Sequence, residues 1–286
     1  MRYVSFVSAD GPQAGVLEGD CVKPLAVADL VAYLELDPAA RQALKLGPAT
    51  ALAEVALVAP LRPRKNVFCV GRNYLDHAAE VARSQGRTDL KLPAVPTFFT
   101  KAPTAIAGPG ETLALSADIS SEYDWEAELA VVIGRRVRDV SAREALDAVF
   151  GYACLNDLTA RDLQRAHQQW FKGKSLDGTC PFGPWIVDAR ELGDPQDLTI
   201  ELRVNGTVKQ HSHTSKMIFP VGEIVAQLSR GMTLEPGDVI ATGTPEGVGM
   251  ARTPPEFLHD GDVVEIEIER IGVLRNTIRL ERSAPA

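Results

Sequence analysis

The chain has 286 residues, 45% of them hydrophobic and 24% charged, with a formal net charge of −8 and an isoelectric point near 5.2. This is an ordinary globular composition, long enough for one large domain or a large domain with a small companion. The acidic balance argues against a nucleic-acid partner. No apolar run approaches the roughly 18 residues a membrane-spanning helix needs, so no membrane partner is expected.

The opening stretch MRYVSFVSADG lacks the charged-then-apolar pattern of a signal peptide, and a cytoplasmic location is expected. Cys21, Cys69, Cys154 and Cys180 are far apart and form no CxxC pair. Reduced, mostly buried thiols are expected, not a disulfide framework or a zinc site. No heptad pattern, low-complexity tract or internal repeat is present.

Residues 1–62 read as a small N-terminal α+β domain. RYVSFV alternates, meets the turn Asp10-Gly11-Pro12, and is followed by a second short strand, GVLEGDCVKPL. Val27–Leu46 is helix-like, and Pro60, Pro63 and the basic cluster Arg62, Arg64 and Lys65 read as a linker. Nothing in this unit points to chemistry, and residues 66–282 are expected to form the catalytic domain.

Asn66–Gly71 is a short apolar strand followed directly by Arg72. Asp76 is a fair helix N-cap, and His77 and Glu80 then share one helix face. A glutamate beside a histidine orients the ring and raises its basicity, which suits a general base for water. The alternative is two surface neighbours on an exposed turn. Ser84–Pro96 reads as a mobile loop of the kind that forms lids, and Thr97–Thr100 is strand-like, with Lys101 at its end.

The stretch SEYDWEAELAVVIG (Ser121–Gly134) places Glu126 and Glu128 two residues apart in an apolar strand, so both carboxylates point to one face. Two buried acids on one face need pairing, protonation or a cation, and a hard divalent ion satisfies both. The alternative is an edge strand whose glutamates face water. Asp139–Val149 suits a short helix. Phe150–Asp157 is another apolar strand and ends in a third acid, Asp157. A helix over Leu158–Gln169 carries Arg161 and Gln164, and Lys172–Val187 reads as a Gly/Pro-rich loop holding Lys174.

Leu198–Val204 and Thr207–Gln210 flank Asn205-Gly206, a type I′ hairpin signal. His211-Ser212-His213 has metal-pair spacing, yet no third nitrogen or thiolate ligand is nearby and the segment reads as a polar hairpin arm. Val221–Leu228 is helical. Met232–Gly249 is a strand with a Gly/Thr/Pro loop that can present N–H groups and the Thr244 hydroxyl to an anion; it lacks the Walker lysine. Phe257–Asn276 holds a turn and one closing strand, VVEIEIERIGVL. Many short strands with few helices predict a β-rich α+β fold with a curled sheet or barrel. Three acids at strand ends beside cationic residues point to metal-assisted chemistry on a small anionic oxo-acid.

The segments VGRNYLDHAAE, FFTKAPTAIAGPG, YDWEAELAVVIG, GYACLNDLTARDLQ, KGKSLDGTCPFGPWIV and GDVIATGTPEGVG together resemble the ordered motifs of the fumarylacetoacetate hydrolase family over roughly residues 66–280. The resemblance implies a mixed β-sandwich roll with a small N-terminal domain. It also implies a homodimer and one Mg²⁺ or Mn²⁺ per subunit, with Ca²⁺ as an option. By position, Glu126, Glu128 and Asp157 match the metal carboxylates, His77 and Glu80 the water-activating pair, and Lys174 the lysine that steadies developing negative charge. Arg161, Gln164 and Thr244 match substrate-holding groups, and Arg72 and Lys101 lie in matching motifs. The implied activity is hydrolytic C–C cleavage of a 2,4-dioxo acid. Oxaloacetate decarboxylation and 2-hydroxyhepta-2,4-diene-1,7-dioate isomerisation are the alternatives on the same scaffold. A non-catalytic, metal-stabilised binding module would predict loss of His77 or Glu80, and both are present.

Overall fold

The computed structural model describes residues 1–9, 11–84, 86 and 92–282. Its organising strand is Ala127–Ile133, buried at every residue. It pairs antiparallel with Val149–Asn156 on one edge and with Val239–Ala241 on the other. Both edges are therefore occupied, and the edge-strand alternative fails. Side chains alternate along the strand, and the two faces feed two separate cores: Leu129, Val131 and Ile133 enter one, Ala130 and Val132 the other.

The first core lies between this 12-stranded sheet and a five-stranded sheet. The smaller sheet contributes Ile200, Leu202, Ile266, Ile268 and Leu274 to it. The second core joins Ala153 and Ile186 of the large sheet to Tyr3, Val16, Leu30 and Leu34 of the N-terminal segment. The fold is thus a strand-rich α+β architecture of two stacked sheets. Among the described residues no helix is long and apolar enough to cross a membrane.

The N-terminal strand Arg2–Ser8 forms a meander with Gly11–Glu18 and Cys21–Pro24. It also bonds to Cys180–Asp188 through Arg2↔Val187 and Tyr3↔Ile186, so the large sheet runs through both segments. The helix expected over Val27–Leu46 is two short helices, Leu30–Glu35 and Pro38–Ala43. Asp37 caps the second, and Pro38 suits its first turn but disfavours a helical Asp37.

Lys172–Val187 is not a loop. It contains a one-turn helix, Phe171–Lys174, and a strand, Cys180–Asp188, that pairs with Val149–Asn156. Pro184 is tolerated there because it falls inside an irregularity, between Val187, opposite Tyr152, and Gly183, opposite Cys154. The helix expected over Leu158–Gln169 is shortened to Arg161–Ala166, because Thr159–Ala160 pairs with Tyr123–Asp124.

The closing strand VVEIEIERIGVL is instead a hairpin, Val263–Ile268 and Gly272–Glu281. Its turn is held by Arg270, at φ 64°, whose guanidinium donates to the Leu192 and Asp197 carbonyls. Asn205 and Gly206 both take positive φ, as the type I′ turn requires. All four cysteines are free, with Cys69, Cys154 and Cys180 buried. The loop expected over Ser84–Pro96 lies partly outside the described residues.

A Cβ added at Gly151 would lie 2.2 Å from the Val187 carbonyl oxygen, where two central strands meet. Gly151→Ala is expected to destabilise the fold by about 1–3 kcal/mol, the usual cost of overpacking a rigid interior. Urea unfolding measures it; an unchanged midpoint would mean that these strands separate without penalty.

Candidate metal centre

The three acids meet because of strand register. Ala127 pairs with Asn156, which sets Glu126, just before one strand, opposite Asp157, just after the other. The Asp157 N–H donates to the Glu126 carbonyl at 2.9 Å. Glu128 is two residues from Glu126 and shares its face. Glu126, Glu128 and Asp157 are 6%, 1% and 0% exposed, and one oxygen from each lies within 4.8 Å of the other two. Among the described residues this is the only group of three or more His, Cys, Asp or Glu side chains so arranged. His211 and His213 are not part of it; they face Glu201 and Asp197 on the hairpin arm.

Three cations surround the acids. Lys174 Nζ donates to Glu126 Oε2 at 2.8 Å and to Asp157 Oδ2 at 2.6 Å. Lys101, fully buried, donates to the Leu158 carbonyl and lies 2.7 Å from Asp157 Oδ1. Arg161 is engaged through all three nitrogens. Nε reaches Asp124 Oδ2 and Nη2 reaches Glu126 Oε1, both at 2.8 Å, and Nη1 donates to Gln164 at 3.1 Å.

Two residues of this network escape the sequence reading. Asp124 is fully buried and accepts from Arg161 and from the N–H groups of Gly249 and Met250. It precedes Glu126 by two residues, so the period-two argument extends to it. Gln210 accepts from the Ala127 N–H, between the two glutamates, and donates to the Thr244 hydroxyl and the Pro245 carbonyl. No local pattern marks Gln210, because its partners are more than 30 residues away.

The Gly/Thr/Pro loop presents N–H groups to anions, as expected, but the anions are the protein's own carboxylates. Gly243 N–H donates to Glu128 Oε2 at 2.7 Å, and Gly247 N–H to Glu80 Oε1 at 2.9 Å. Glu80 in turn lies 3.3 Å from His77 Nδ1 through its other oxygen. His77 is 7% exposed, so the surface-neighbour alternative fails.

Electrostatics divides the acids. Burial would raise the Glu126 carboxyl, but Lys174 and then Arg161 hold it down at about 2. Burial pushes Glu128 well above the ordinary carboxylate range, and Asp157 and Glu126 push it further. Burial would lower the Lys174 ammonium, yet Asp157 and Glu126 hold it above its usual range, so it stays charged. Glu128 has one backbone donor and no cation of its own. Asp157 Oδ1 is buried without an aligned hydrogen bond. An all-oxygen donor set in which Glu128 has no cation among the described residues fits a hard divalent cation bound by Glu126, Glu128 and Asp157.

Glu126 and Glu128 of this group line a cavity of about 420 Å³, a size that suits a small ligand, and Asp157 lies behind them. Glu126, Glu128, Lys174, Arg161 and Thr244 line its acidic end, and His77 lies on its wall. Gln164, Arg72 and Phe99 line it too, with Trp170, a residue the sequence reading did not single out. The Trp170 ring meets Phe99 edge-on at 5.2 Å and lies 5.7 Å from the Arg72 guanidinium carbon. Lys101 does not line the cavity; it lies behind Asp157 and not among groups that could touch a substrate.

Comparison with known proteins supplies the lineage. Residues 66–279 match the family model described as fumarylacetoacetate (FAA) hydrolase, C-terminal, and residues 1–60 match Rv2993c-like, N-terminal. The chain is 48% identical over 228 residues to oxaloacetate tautomerase YisK of Bacillus subtilis (strain 168), covering 79% of this chain and 74% of that one. A fumarylacetoacetate hydrolase from psychrophilic Exiguobacterium antarcticum superposes with a TM-score of 0.84 at 40% identity, covering 98% of this chain and all of that one. A 2-hydroxyhepta-2,4-diene-1,7-dioate isomerase from Mycobacterium marinum superposes at 0.80 with 38% identity, over the whole of both chains. With the family model spanning most of its length, and two sheets closing over a buried Glu/Glu/Asp group, the chain belongs to the fumarylacetoacetate hydrolase family.

Proposed function

We propose that the chain is a divalent-metal-dependent enzyme that moves a proton on a small 2-oxo dicarboxylic acid, interconverting its keto and enol forms. The observation that carries this reading is the buried triad Glu126, Glu128 and Asp157, with the Lys174 ammonium between Glu126 and Asp157 and with Glu126 and Glu128 lining a cavity of about 420 Å³. Such a site stabilises negative charge on a substrate oxygen, which is what enolisation demands. The names of two relatives support it: an oxaloacetate tautomerase and a dienedioate isomerase. Both reactions are proton shifts and need no attacking water. This places tautomerisation or isomerisation ahead of the hydrolysis favoured by sequence motifs alone.

A cation held by the three carboxylates, Mg²⁺ or Mn²⁺ by the hardness of the donors, would supply Lewis-acid stabilisation of the developing enolate charge. The chain's own groups do the rest. His77, held at Nδ1 by Glu80, keeps Nε2 for the cavity; it takes the proton from the carbon next to the 2-oxo group. The electron pair becomes a carbon–carbon double bond, and His77 returns the proton it took to the carbonyl oxygen, so the substrate is isomerised with no net gain or loss of atoms and His77 ends neutral. The fixed Lys174 charge lowers the cost of negative charge on that oxygen. Arg72 makes no ion pair among the described residues and lies 5.7 Å from the Trp170 ring centroid, which leaves its guanidinium for a substrate carboxylate.

C–C hydrolysis of a 2,4-dioxo acid is the second reading. The buried His77–Glu80 pair favours it, because the same geometry would activate water.

Three outcomes are expected. Enol-oxaloacetate should convert to the keto form faster with the protein and Mn²⁺ than without, the acceleration should vanish with EDTA, and acetylpyruvate should stay intact. Cleavage of acetylpyruvate with no effect on enol-oxaloacetate would transfer the conclusion to hydrolysis. Glu128→Gln should weaken Mn²⁺ binding by at least about tenfold in calorimetry; unchanged binding would contradict the ligand set. His77→Ala should lower kcat by about 10²–10⁴-fold while Mn²⁺ affinity holds. A parallel loss of metal would show that the division of roles is wrong.

A further inference from the structure

A second cavity, about 740 Å³, opens where the helices Leu30–Glu35 and Pro38–Ala43 approach the large sheet. It is larger than the acidic cavity and shares no lining residue with it. Gly134 to Arg136, at the far end of the strand Ala127–Ile133, form part of its wall, as do Val149 and Phe150 at the start of Val149–Asn156. The two cavities therefore sit at opposite ends of one strand pair, roughly 20 Å apart at about 3.3 Å per residue.

Its charge runs against that of the chain. Arg41, Arg135, Arg136 and Arg190 line it, and none of them forms an ion pair among the described residues. Of the three lining acids, Glu35 is committed to Arg64 through both oxygens, and Asp188 accepts the Arg190 N–H as a helix cap. The Asp147 carboxylate has no side-chain partner among the described residues, while its carbonyl accepts from Arg135 Nε. Four guanidinium groups without ion pairs among the described residues, against two lining carboxylates not paired with an arginine, Asp147 and Asp188, give the cavity a positive balance in a protein of net charge −8.

Its inner wall is aromatic. The Tyr3 and Phe150 rings are 4.6 Å apart, the Tyr3 and Tyr33 rings 5.4 Å, and the two tyrosine hydroxyls 3.4 Å. Arg41 is pinned over Tyr33, 5.3 Å from the ring centroid, by donating to the carbonyls of Tyr33, Leu34 and Leu36. Its guanidinium is thus held in place by neutral acceptors and retains its charge for a ligand. Arginine forks recognise carboxylate or phosphate, and rings beside them recognise a planar partner.

We propose that this cavity is a second ligand site, for a small organic anion bearing a planar ring. A nucleoside monophosphate and an aromatic carboxylate share that chemistry, and the test separates them. The site stands independently of the proton-transfer reading of the acidic cavity.

The test is calorimetric titration of the whole protein with AMP, with 4-hydroxybenzoate and with succinate, which carries charge but no ring. One ringed anion is expected to bind at one equivalent, at least about tenfold more tightly than succinate. AMP binding alone identifies the phosphate class, and 4-hydroxybenzoate binding alone the carboxylate class. Arg136→Gln/Arg190→Gln alters two exposed side chains and should weaken binding by about tenfold with the near-ultraviolet dichroism unchanged. Asp147→Asn, which removes one of the two lining acids not paired with an arginine, should instead tighten it by about threefold. Absence of binding by both ringed anions at about 1 mM, equal binding of succinate, or equal binding by the arginine double variant would each overturn the proposal.

Discussion

The pairing of Ala127 with Asn156 is the constraint on which the candidate site depends. It brings an acid from the start of one strand against an acid from the end of its neighbour, and the pleat adds Glu128. A slip of one residue would send both glutamates to the opposite face. Such a slip is prevented because Leu129, Val131 and Ile133 are committed to one core and Ala130 and Val132 to the other. Hydrophobic packing on two faces therefore fixes the position of three charged groups that would not choose one another's company.

Holding those charges in place requires compensation. Asp124, Glu126, Glu128 and Asp157 are set against Lys101, Lys174 and Arg161, all within the interior. Bringing an uncompensated ion into such surroundings costs several kcal/mol. Six of the seven groups find partners in one another, and the loop after Val239–Ala241 supplies backbone donors to the acids. Gly243, Gly247, Gly249 and Met250 direct their N–H groups to Glu128, Glu80 and Asp124. Glu128 alone receives no cation among the described residues, and this residual acid is the physical argument for a metal at that end of the cavity.

The legible part of this arrangement was local. Period-two spacing identified Glu126 and Glu128, a strand ending in an acid identified Asp157, and Asn205-Gly206 identified its hairpin. What stayed hidden depends on contacts distant along the chain. Gln210 is recognisable only once its hairpin arm is seen against Ala127 and Thr244. Cys180–Asp188 reads as a loop because Pro181, Gly183 and Pro184 oppose strand structure, and only its neighbours on both sides make it a strand. VVEIEIERIGVL reads as one strand because Arg270 carries no turn signal of its own; the carbonyls of Leu192 and Asp197 hold its left-handed backbone.

Residue type alone also overstates how many cations are free for substrate. Arg72, Lys101, Arg161 and Lys174 look equivalent in sequence as partners for an oxo-acid. Lys101 is sealed behind Asp157, and Arg161 spends its three nitrogens on Asp124, Glu126 and Gln164. Lys174 is shared between two carboxylates but still lines the cavity, and Arg72 lines it without an acidic partner among the described residues. An incoming dicarboxylate would therefore meet a graded field, with one fixed ammonium at the acidic end and one uncommitted guanidinium beside Trp170. For the proposed 2-oxo dicarboxylate, that asymmetry favours an orientation with its 2-oxo end toward Glu126 and Glu128 and its distal carboxylate toward Arg72.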